Sequence, residues 1–395
     1  MPRPFKFPQL PNYRAKKNDL QLLLSTQPGQ TQYAPFCDTA LRKVLNAIKS
    51  KSPKHSFPQH NLLCDYHLHA KTYHYSTTIF EMSYQHSQIK SLEGCFIMDG
   101  HFELKKLLGA GAFGTVYLAE RVARGKENDG EKFAVKVLSV PKGESMQKMQ
   151  LVDELLLQME AAGHKNVLRA KEVSHATLKG EEFACIRMDL CEGGDMLDAL
   201  KEGTFDEEKR ARSAFLQVID GVMHSHKNGV FHRDLKYENV LCTTEGKELC
   251  LKIADFGLAT KHTVVPYGYY AGTPRYMPPE CVSLALQNPQ GYSPAQQDIW
   301  AIGMMLALLC SGKKLPWGIA CPVSDPDFLA YSMDSSMLRG KLGYASDELV
   351  DFLRFRVLTV DPSQRASLQE IRDFVEKKAL FKKEGLFSKF KLFKS

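Results

Sequence analysis

The side chains best suited to chemistry lie in one run, HRDLKYEN (232–239), of this 395-residue chain. A strand-like LKIA segment follows and ends in Asp-Phe-Gly. Asp234 can orient an attacking hydroxyl and accept its proton, and Lys236 can neutralise a phosphoryl group in flight. Asn239 and Asp255 can hold magnesium against phosphates. The order and spacing therefore predict phosphoryl transfer from a metal-bound nucleotide to a hydroxyl.

A glycine-rich stretch, GAGAFGTV, spans residues 109–116. Glycines let backbone N–H groups approach a phosphate without a Cβ in the way. A dinucleotide-binding turn has similar spacing, but here strand-like sequence flanks both sides and no helix follows the third glycine. A P-loop is excluded because GK[ST] is absent. The stretch therefore predicts a phosphate-binding loop between two strands.

Lys136 lies in a strand-like FAVKV segment, 22 residues after Gly114. A lysine in a buried strand is costly unless it is paired, and the alternative is an edge-strand lysine that faces water. The spacing favours a phosphate-contacting lysine. We assign Glu154 as its partner, because Asp153 points elsewhere on the helix and Glu160 lies too near the helix end. This ion pair would hold the lysine on the α- and β-phosphates.

The elements that must position these residues change along the chain. Residues 1–95 are rich in Pro, Gln, His, Ser and Tyr, which predicts a largely irregular extension with one or two helices. Residues 102–378 begin with alternating apolar segments, which predict a small antiparallel sheet with one helix, and become mainly helical after Glu192. Asp206 is predicted to cap a long helix. Residues 379–395 form a basic tail with interleaved aromatics.

Composition excludes several classes of function. No apolar run reaches the about 18 residues of a membrane span, and MPRPFKFPQL lacks the apolar centre of a secretory signal. The 10 cysteines form no CxxC pair, which predicts reduced thiols in the cytoplasm or nucleus. The net charge of +7 is concentrated at the two ends of the chain. The acidic body predicts no nucleic-acid binding, whereas the extension or tail could meet a regulatory partner.

Residues 102–378 resemble a eukaryotic protein kinase domain in the glycine-rich loop, strand lysine, HRD, DFG and closing Pro-Glu. The resemblance implies a two-lobed α+β fold, with an antiparallel N-lobe sheet, one helix and a mainly helical C-lobe. ATP with Mg²⁺, or with Mn²⁺, would bind in the cleft. Lys236 and the segment GTPRYMPPE resemble serine/threonine kinases. The family's APE reads PPE here and its KPEN reads KYEN, and neither change removes a charged group.

The resemblance also implies a role for each site residue. The implied catalytic residues are Asp234, Lys236, Asn239, Lys136 and Glu154, and the implied metal ligands are Asn239 and Asp255. The implied ATP-binding residues are Leu108, Gly109, Ala110, Gly111, Gly114, Val116, Ala134, Lys136, Met188, Asp189, Cys191, Asp195 and Leu241. Residues implied to support the catalytic loop and activation segment are His232, Arg233, Phe256, Gly257, Thr273, Glu280, Asp298 and Arg365. In this set Thr273 would contact Asp234 and Lys236, Glu280 would pair with Arg365, and Asp298 would brace the catalytic loop.

The finer resemblance is to the calcium/calmodulin-dependent group. Gln158 fits the checkpoint kinase 1 branch of that group, which implies checkpoint, cell-cycle or DNA-damage signalling. Asp195 and Glu238 stand where basophilic kinases hold an arginine, so we predict a preference for Arg three residues before the target Ser or Thr. Arg233 marks a kinase that could read a phosphate on 258–271, but that branch is generally active without one, and we expect constitutive competence.

Three hypotheses follow from the sequence. The chain is an active kinase acting on protein Ser/Thr, a pseudokinase that serves as a scaffold, or a targeting protein whose N-terminal region does the main work. Intact Lys136, Asp234, Asn239 and Asp255 favour the first.

Overall fold

The computed structural model of the protein describes residues 91–111, 114–122, 130–140, 157–266, 269–282 and 291–382. The described strands of the first half form one six-stranded antiparallel sheet in the order β1-β2-β3-β4-β6-β5. They are β1 (Phe96–Ile97), β2 (Phe102–Gly111), β3 (Gly114–Arg121), β4 (Lys132–Ser139), β5 (Ala170–Leu178) and β6 (Glu181–Met188). The predicted antiparallel sheet is confirmed. Residues 157–161 are helical within the predicted N-lobe helix.

Strand β4 is buried on both faces, and its period of two decides which side chain points where. Phe133, Val135 and Val137 pack in one apolar cluster with side chains from β2 and β3. Ala134 and Leu138 pack in a second cluster on the opposite face. Lys136 has the same parity as this second pair, so its side chain leaves the sheet on the face of the second cluster.

The sheet's own core reaches beyond the N-terminal edge predicted for the kinase-like region. Leu92, Ile97 and Met98 are buried in the cluster that contains Phe133. At the other end, Phe381 lies in the core of the helical part and pairs with Ala345 by a β-bridge. Folded residues therefore lie on both sides of 102–378.

The second half is mainly helical, as predicted. Its helices are α1 (Met196–Lys201), α2 (Glu208–Lys227), α3 (Pro279–Val282), α4 (Pro294–Cys310), α5 (Pro326–Met333), α6 (Leu338–Lys341), α7 (Asp347–Phe352) and α8 (Leu368–Lys377). A π-helix (Leu353–Val357), four 3₁₀ turns and a hairpin of β7 (Val240–Glu245) and β8 (Glu248–Ile253) complete the described part. Helix α4 is apolar on every side and runs through the centre of the core, as expected for an all-round apolar helix.

Helix α2 begins one residue later than the sequence suggested. Glu207 is the N-cap residue and makes no side-chain cap hydrogen bond, so the prediction that Asp206 caps the helix is wrong. Asp206 instead closes a turn in which its backbone N–H donates to the Gly203 carbonyl oxygen at 3.2 Å. Among the described residues, no helix combines the length and apolar character needed to cross a membrane.

Candidate active site

Asp234 is the most completely fixed side chain of the predicted catalytic loop. Its Oδ1 accepts hydrogen bonds from the Thr273 backbone N–H and hydroxyl, both at 2.7 Å. Its Oδ2 accepts from Lys236 Nζ at 2.8 Å and from Asn239 Nδ2 at 3.0 Å. Lys236 Nζ also donates to the Thr273 hydroxyl at 2.8 Å. The structure therefore brings the three predicted side chains of Lys236, Asn239 and Thr273 together around the carboxylate of Asp234, a residue that is only 8% exposed.

The backbone of this loop is held from below by Asp298 on α4. Asp298 is fully buried, and its two oxygens accept the backbone N–H groups of His232 at 2.8 Å and Arg233 at 2.7 Å. His226 Nε2 lies 2.8 Å from the same carboxylate. Arg233 has φ +68°, a left-handed conformation that costs about 1–3 kcal/mol in a non-glycine residue. Two backbone hydrogen bonds to a buried charge stabilise that conformation.

Asp255 has a second left-handed backbone conformation, with φ +61°. Lys136 Nζ lies 3.0 Å from Asp255 Oδ1. Burial removes water from the Asp255 carboxylate and acts to raise its pKa. The charge of Lys136 and its hydrogen bond outweigh this effect and hold the pKa below its ordinary value. Phe256 is fully buried, and its ring centre lies 4.9 Å from that of His232. Gly257 opens the turn that follows.

The predicted ion pair between Lys136 and Glu154 cannot be located, since Glu154 lies outside the described residues. The contact between Lys136 and Asp255 was not predicted from the sequence. It depends on how close β4 comes to the end of β8, which no local pattern encodes.

Five predicted nucleotide-contacting side chains lie in one apolar cluster between the sheet and the helical part. Ala134 and Met188 are buried members of it, and the partly buried Val116, Cys191 and Leu241 pack against it. They come from β3, β4, the end of β6, the residues that follow it, and β7, so the cluster can offer an apolar base to a planar ring. Burial raises the pKa of the Cys191 thiol to about 11, which keeps it neutral.

The rest of the predicted nucleotide-binding set lies at the edges of this cluster. Residues 108–111 are exposed at the end of β2. Gly114 has φ +132°, and a Cβ there would lie 2.7 Å from the Val137 carbonyl oxygen. Only glycine lets β3 approach β4 this closely. Asp189 is paired with Lys171 at 2.6 Å.

Acidic groups predicted to meet the substrate share one surface. Asp195 accepts a hydrogen bond from the Asp198 backbone N–H at 2.9 Å and pairs with Leu241 through a β-bridge. The pKa of Lys201 is raised, first by its hydrogen bond to Asp198 and then by the charges of Asp198, Asp195 and Glu238. All three carboxylates therefore lie near enough to Lys201 for their charges to act on it. Asp198 was not predicted as part of this surface.

The predicted ion pair behind the activation segment is present and buried. Arg365 donates to both Glu280 oxygens, at 2.6 and 2.8 Å. Its guanidinium carbon also lies 4.9 Å from the centre of the Trp300 ring, and it donates to two backbone carbonyl oxygens. The closing Pro-Glu is thereby tied to the core of the helical part.

Two further side chains reach the catalytic loop and were missed in the sequence. Tyr292 Oη accepts from Arg233 Nη2 at 3.0 Å, and Gln297 Nε2 donates to the Arg233 carbonyl oxygen at 2.7 Å. The only available signal was the position of Gln297 directly before Asp298 at the start of an apolar helix. Tyr292 carried no signal.

The donor set fits magnesium held together with a nucleotide. Asn239 uses its amide nitrogen on Asp234, which leaves its side-chain carbonyl oxygen as an acceptor. Its backbone carbonyl oxygen accepts from the N–H of Ala254, the residue before Asp255, at 2.8 Å. Oxygen ligands are those that Mg²⁺ prefers, and it commonly binds one or two carboxylates plus substrate phosphates. No group of three or more His, Cys, Asp or Glu side chains in the described part of the chain could hold a metal ion. Phosphates would therefore have to complete the metal's oxygen shell.

Comparison with known proteins gives matches over the same part of the chain. Residues 102–374 match the family described as "Protein kinase domain". "Serine/threonine-protein kinase ksp1" of Schizosaccharomyces pombe is 31% identical over 280 residues, which cover 69% of this chain and 56% of that protein. "CBL-interacting protein kinase 29" of Oryza sativa subsp. japonica is 33% identical over 287 residues, covering 70% and 59%. "Calcium/calmodulin-dependent protein kinase type II alpha chain" of Drosophila melanogaster is 29% identical over 286 residues, covering 70% and 49%. The chain thus spans about half to three fifths of the length of these relatives.

Proposed function

Because this chain belongs to the protein kinase family, we propose that it is an ATP-dependent kinase that phosphorylates serine and threonine residues of proteins. The observation that carries this proposal is the complete hydrogen bonding of the Asp234 carboxylate by Lys236, Asn239 and Thr273. A carboxylate so fixed is ready to orient a hydroxyl without reorganising. The names of the serine/threonine kinases that the chain resembles support the same class of acceptor.

The charged and polar side chains of the site have different proposed roles in the transfer. Asp234 orients the substrate hydroxyl and takes its proton, and Lys236, 2.8 Å from that carboxylate, offsets negative charge on the transferred group. Lys136, held at 3.0 Å from Asp255, binds the non-transferred phosphates. Asn239 and Asp255 would hold Mg²⁺, which when bound neutralises charge on the β- and γ-phosphates.

Isotope transfer from γ-labelled ATP to a generic basic protein tests the catalytic assignment. Asp234→Asn keeps the size of the side chain and removes the base, so we expect activity to fall about 10²–10⁴-fold. Asp373→Asn, at a half-exposed position on α8, is the control and should match the wild type. Equal transfer by Asp234→Asn and the wild type would refute the catalytic role. ATP binding with no transfer by either protein would favour the pseudokinase reading.

We further propose that the kinase prefers an arginine three residues before the acceptor. The neighbouring carboxylates of Asp195, Asp198 and Glu238 around Lys201 support this, because a guanidinium can bind several carboxylate oxygens at once. Paired peptides with Arg or Leu at that position give the test as a ratio of kcat/KM. The ratio should be well above one in the wild type and smaller in Glu238→Gln. A ratio of one in the wild type would sink the proposal.

We also propose that the chain is related to the checkpoint kinase 1 branch of the calcium/calmodulin-dependent group. It would then act in checkpoint, cell-cycle or DNA-damage signalling, in the cytoplasm or nucleus. The support is Gln158, a buried polar residue whose amide contacts the Met188 sulfur at 3.6 Å, together with the likeness to the Drosophila kinase. Growth of cells lacking the gene after DNA damage, with a tagged copy followed by microscopy, tests both points. Normal recovery from damage would remove the checkpoint role.

A regulatory partner is proposed to bind the N-terminal extension or the basic tail. Clusters of lysines between aromatic residues in the tail favour an acidic partner surface. Chains lacking residues 1–90 or 383–395 can be compared with the full chain in activity and in co-purification from cells. Unchanged activity and an unchanged set of partners in both would exclude this role.

A further inference from the structure

The activation segment, residues 255–280, is fastened to the start of α4 at several points. Tyr292 precedes the helix and forms a two-way backbone pair with Val265, at 2.8 and 2.9 Å. Its hydroxyl donates to the Tyr269 carbonyl oxygen at 3.2 Å. Tyr292, which is only 5% exposed, therefore binds the segment at two positions, Val265 and Tyr269.

The guanidinium of Arg233 joins this contact. Its Nη2 donates to the Tyr292 hydroxyl at 3.0 Å and to the Tyr269 carbonyl oxygen at 3.1 Å. Burial raises the pKa of the Tyr292 hydroxyl above its ordinary range, so the hydroxyl stays neutral and can both donate and accept. The arginine, the tyrosine and one backbone carbonyl thus form a closed triangle.

Gln297 makes a second link one helical turn further on. Its side chain is 1% exposed, and Nε2 donates to the carbonyl oxygens of Arg233 and Ala271, both at 2.7 Å. Between these carbonyls lies Gly272, with φ +123°, where a Cβ would stand 2.5 Å from the Arg233 oxygen. The next residue, Thr273, carries the two hydrogen bonds to Asp234. The chain of contacts from α4 to the catalytic carboxylate is therefore continuous.

The two cations that could bind a phosphate on the segment, Arg233 and Lys261, already make contacts within the protein. Arg233 Nε has no hydrogen-bond partner among the described residues, but it is shielded from solvent, so a phosphate would have to displace packed side chains to reach it. Lys261, the nearest described lysine along the segment, is paired with Glu160 at 2.6 Å. That pair links the segment to the helical residues 157–161.

We propose that Tyr292 and Gln297 are positioning residues that hold the activation segment in its working arrangement in place of a bound phosphate. This rests on the proposed kinase activity and adds how that activity is kept switched on. The kinase is then competent as synthesised, and removal of phosphate leaves it active.

The test compares the full chain before and after treatment with a broad phosphatase, with the phosphate content checked by mass spectrometry. Wild-type kcat/KM should change less than about twofold, which is below 0.5 kcal/mol of transition-state stabilisation. Tyr292→Phe keeps the ring and removes the hydroxyl, and Gln297→Met keeps the length and removes the donor. Each should lower kcat/KM of the phosphate-free protein about tenfold, a loss of about 1.4 kcal/mol.

Matched controls separate positioning from general loss of stability. Tyr331→Phe removes a buried hydroxyl that donates to the Leu358 carbonyl oxygen at 2.8 Å, remote from the catalytic loop. Gln296→Met alters the residue next to Gln297 on the same helix. The thermal midpoint is measured for every variant, and a control counts as matched when its midpoint falls by about as much as that of its partner. Both controls should leave kcat/KM within about twofold of the wild type. A tenfold loss in either control would overturn the proposal.

Amide hydrogen exchange of 258–273 keeps this inference separate from the proposed activity. Exchange should quicken in Tyr292→Phe and Gln297→Met but not in Tyr331→Phe, whether or not the protein transfers phosphate. A phosphatase-treated wild type that loses more than tenfold of its activity, or unchanged exchange in both variants, would overturn the proposal. If no transfer is seen in any variant while exchange responds as expected, the proposed kinase activity fails and the positioning role stands.

Discussion

The ion pair between Glu280 and Arg365 gives the sharpest quantitative prediction. Both side chains are buried, and two parallel hydrogen bonds of 2.6 and 2.8 Å join them. Removing one partner of a buried pair leaves an uncompensated charge, which costs about 3–5 kcal/mol. Glu280→Met should therefore destabilise the protein by about that amount, and Arg365→Met by somewhat more. The difference arises because Arg365 also donates to two carbonyl oxygens, each of which costs about 1–3 kcal/mol when left unsatisfied.

The double variant should lose far less than the sum of the two single losses. With both charges gone, the remaining cost is the two unsatisfied carbonyls, partly offset by apolar packing against Trp300. We expect a coupling energy of about 3 kcal/mol or more. Each single change should lower the thermal midpoint by about 10 °C, since about 2–4 °C is lost per kcal/mol in a domain of this size.

Urea unfolding followed by tryptophan fluorescence measures these values. The chain has 2 tryptophans, and both lie in the core of the helical part, so the signal reports the region that contains the pair. Arg356 and Glu370 provide the control, because they are also joined at 2.6 Å but are about half exposed. Their coupling should stay below about 1 kcal/mol. Losses at Glu280 and Arg365 that add to within about 0.5 kcal/mol would refute the reasoning.

Three further changes are predicted to have measurable effects. Gly114→Ala should cost at least about 1–3 kcal/mol in urea unfolding, because φ there is +132° and the added Cβ would also stand 2.7 Å from the Val137 carbonyl oxygen. Gly109→Ala, with open space around it, should cost under about 1 kcal/mol. Ser367→Ala removes a complete capping box on α8 and should cost about 1 kcal/mol, read as a lower urea midpoint at unchanged slope. Burial acts to raise the pKa of Asp325, but backbone N–H groups hold it below its ordinary 3.8. Its stabilising effect is therefore full above that pH and is lost as the pH falls through the lower folded pKa. The loss caused by Asp325→Asn should be largest near neutral pH and should shrink in acid.

Much of the site could be predicted because the motifs resemble those of the protein kinase family. The contacts of Asp234 with Thr273, and of Asp298 with the catalytic loop, lie where the motifs indicated. Tyr292 and Gln297 could not be predicted, because they act on backbone carbonyl oxygens. A carbonyl is present at every residue and leaves no trace in the sequence.

The fold was predictable in class but less so at the ends of its elements. The strand-like FAVKV segment identified β4, whereas the face of the sheet on which Lys136 lies became known only from the structure. The start of α2 was misplaced because the turn at Gly203 decides which residue becomes the N-cap, and that turn depends on tertiary packing. The packing of Leu92 into the sheet could not be predicted either, since residues 1–95 have no sustained apolar period.

The full burial of α4 has a consequence for how the protein loses activity on heating. Asp298 and Gln297 on this helix, and Tyr292 just before it, fasten the catalytic loop or the activation segment to an element that is enclosed by the core. Local opening takes place most readily where few apolar contacts are made, and core helices open only with the whole domain. The exposed glycine-rich end of β2 (108–111) can therefore fray, which would weaken nucleotide binding, at temperatures where the loop that carries Asp234 is still intact. Heat should thus raise the KM for ATP before it lowers the number of working active sites.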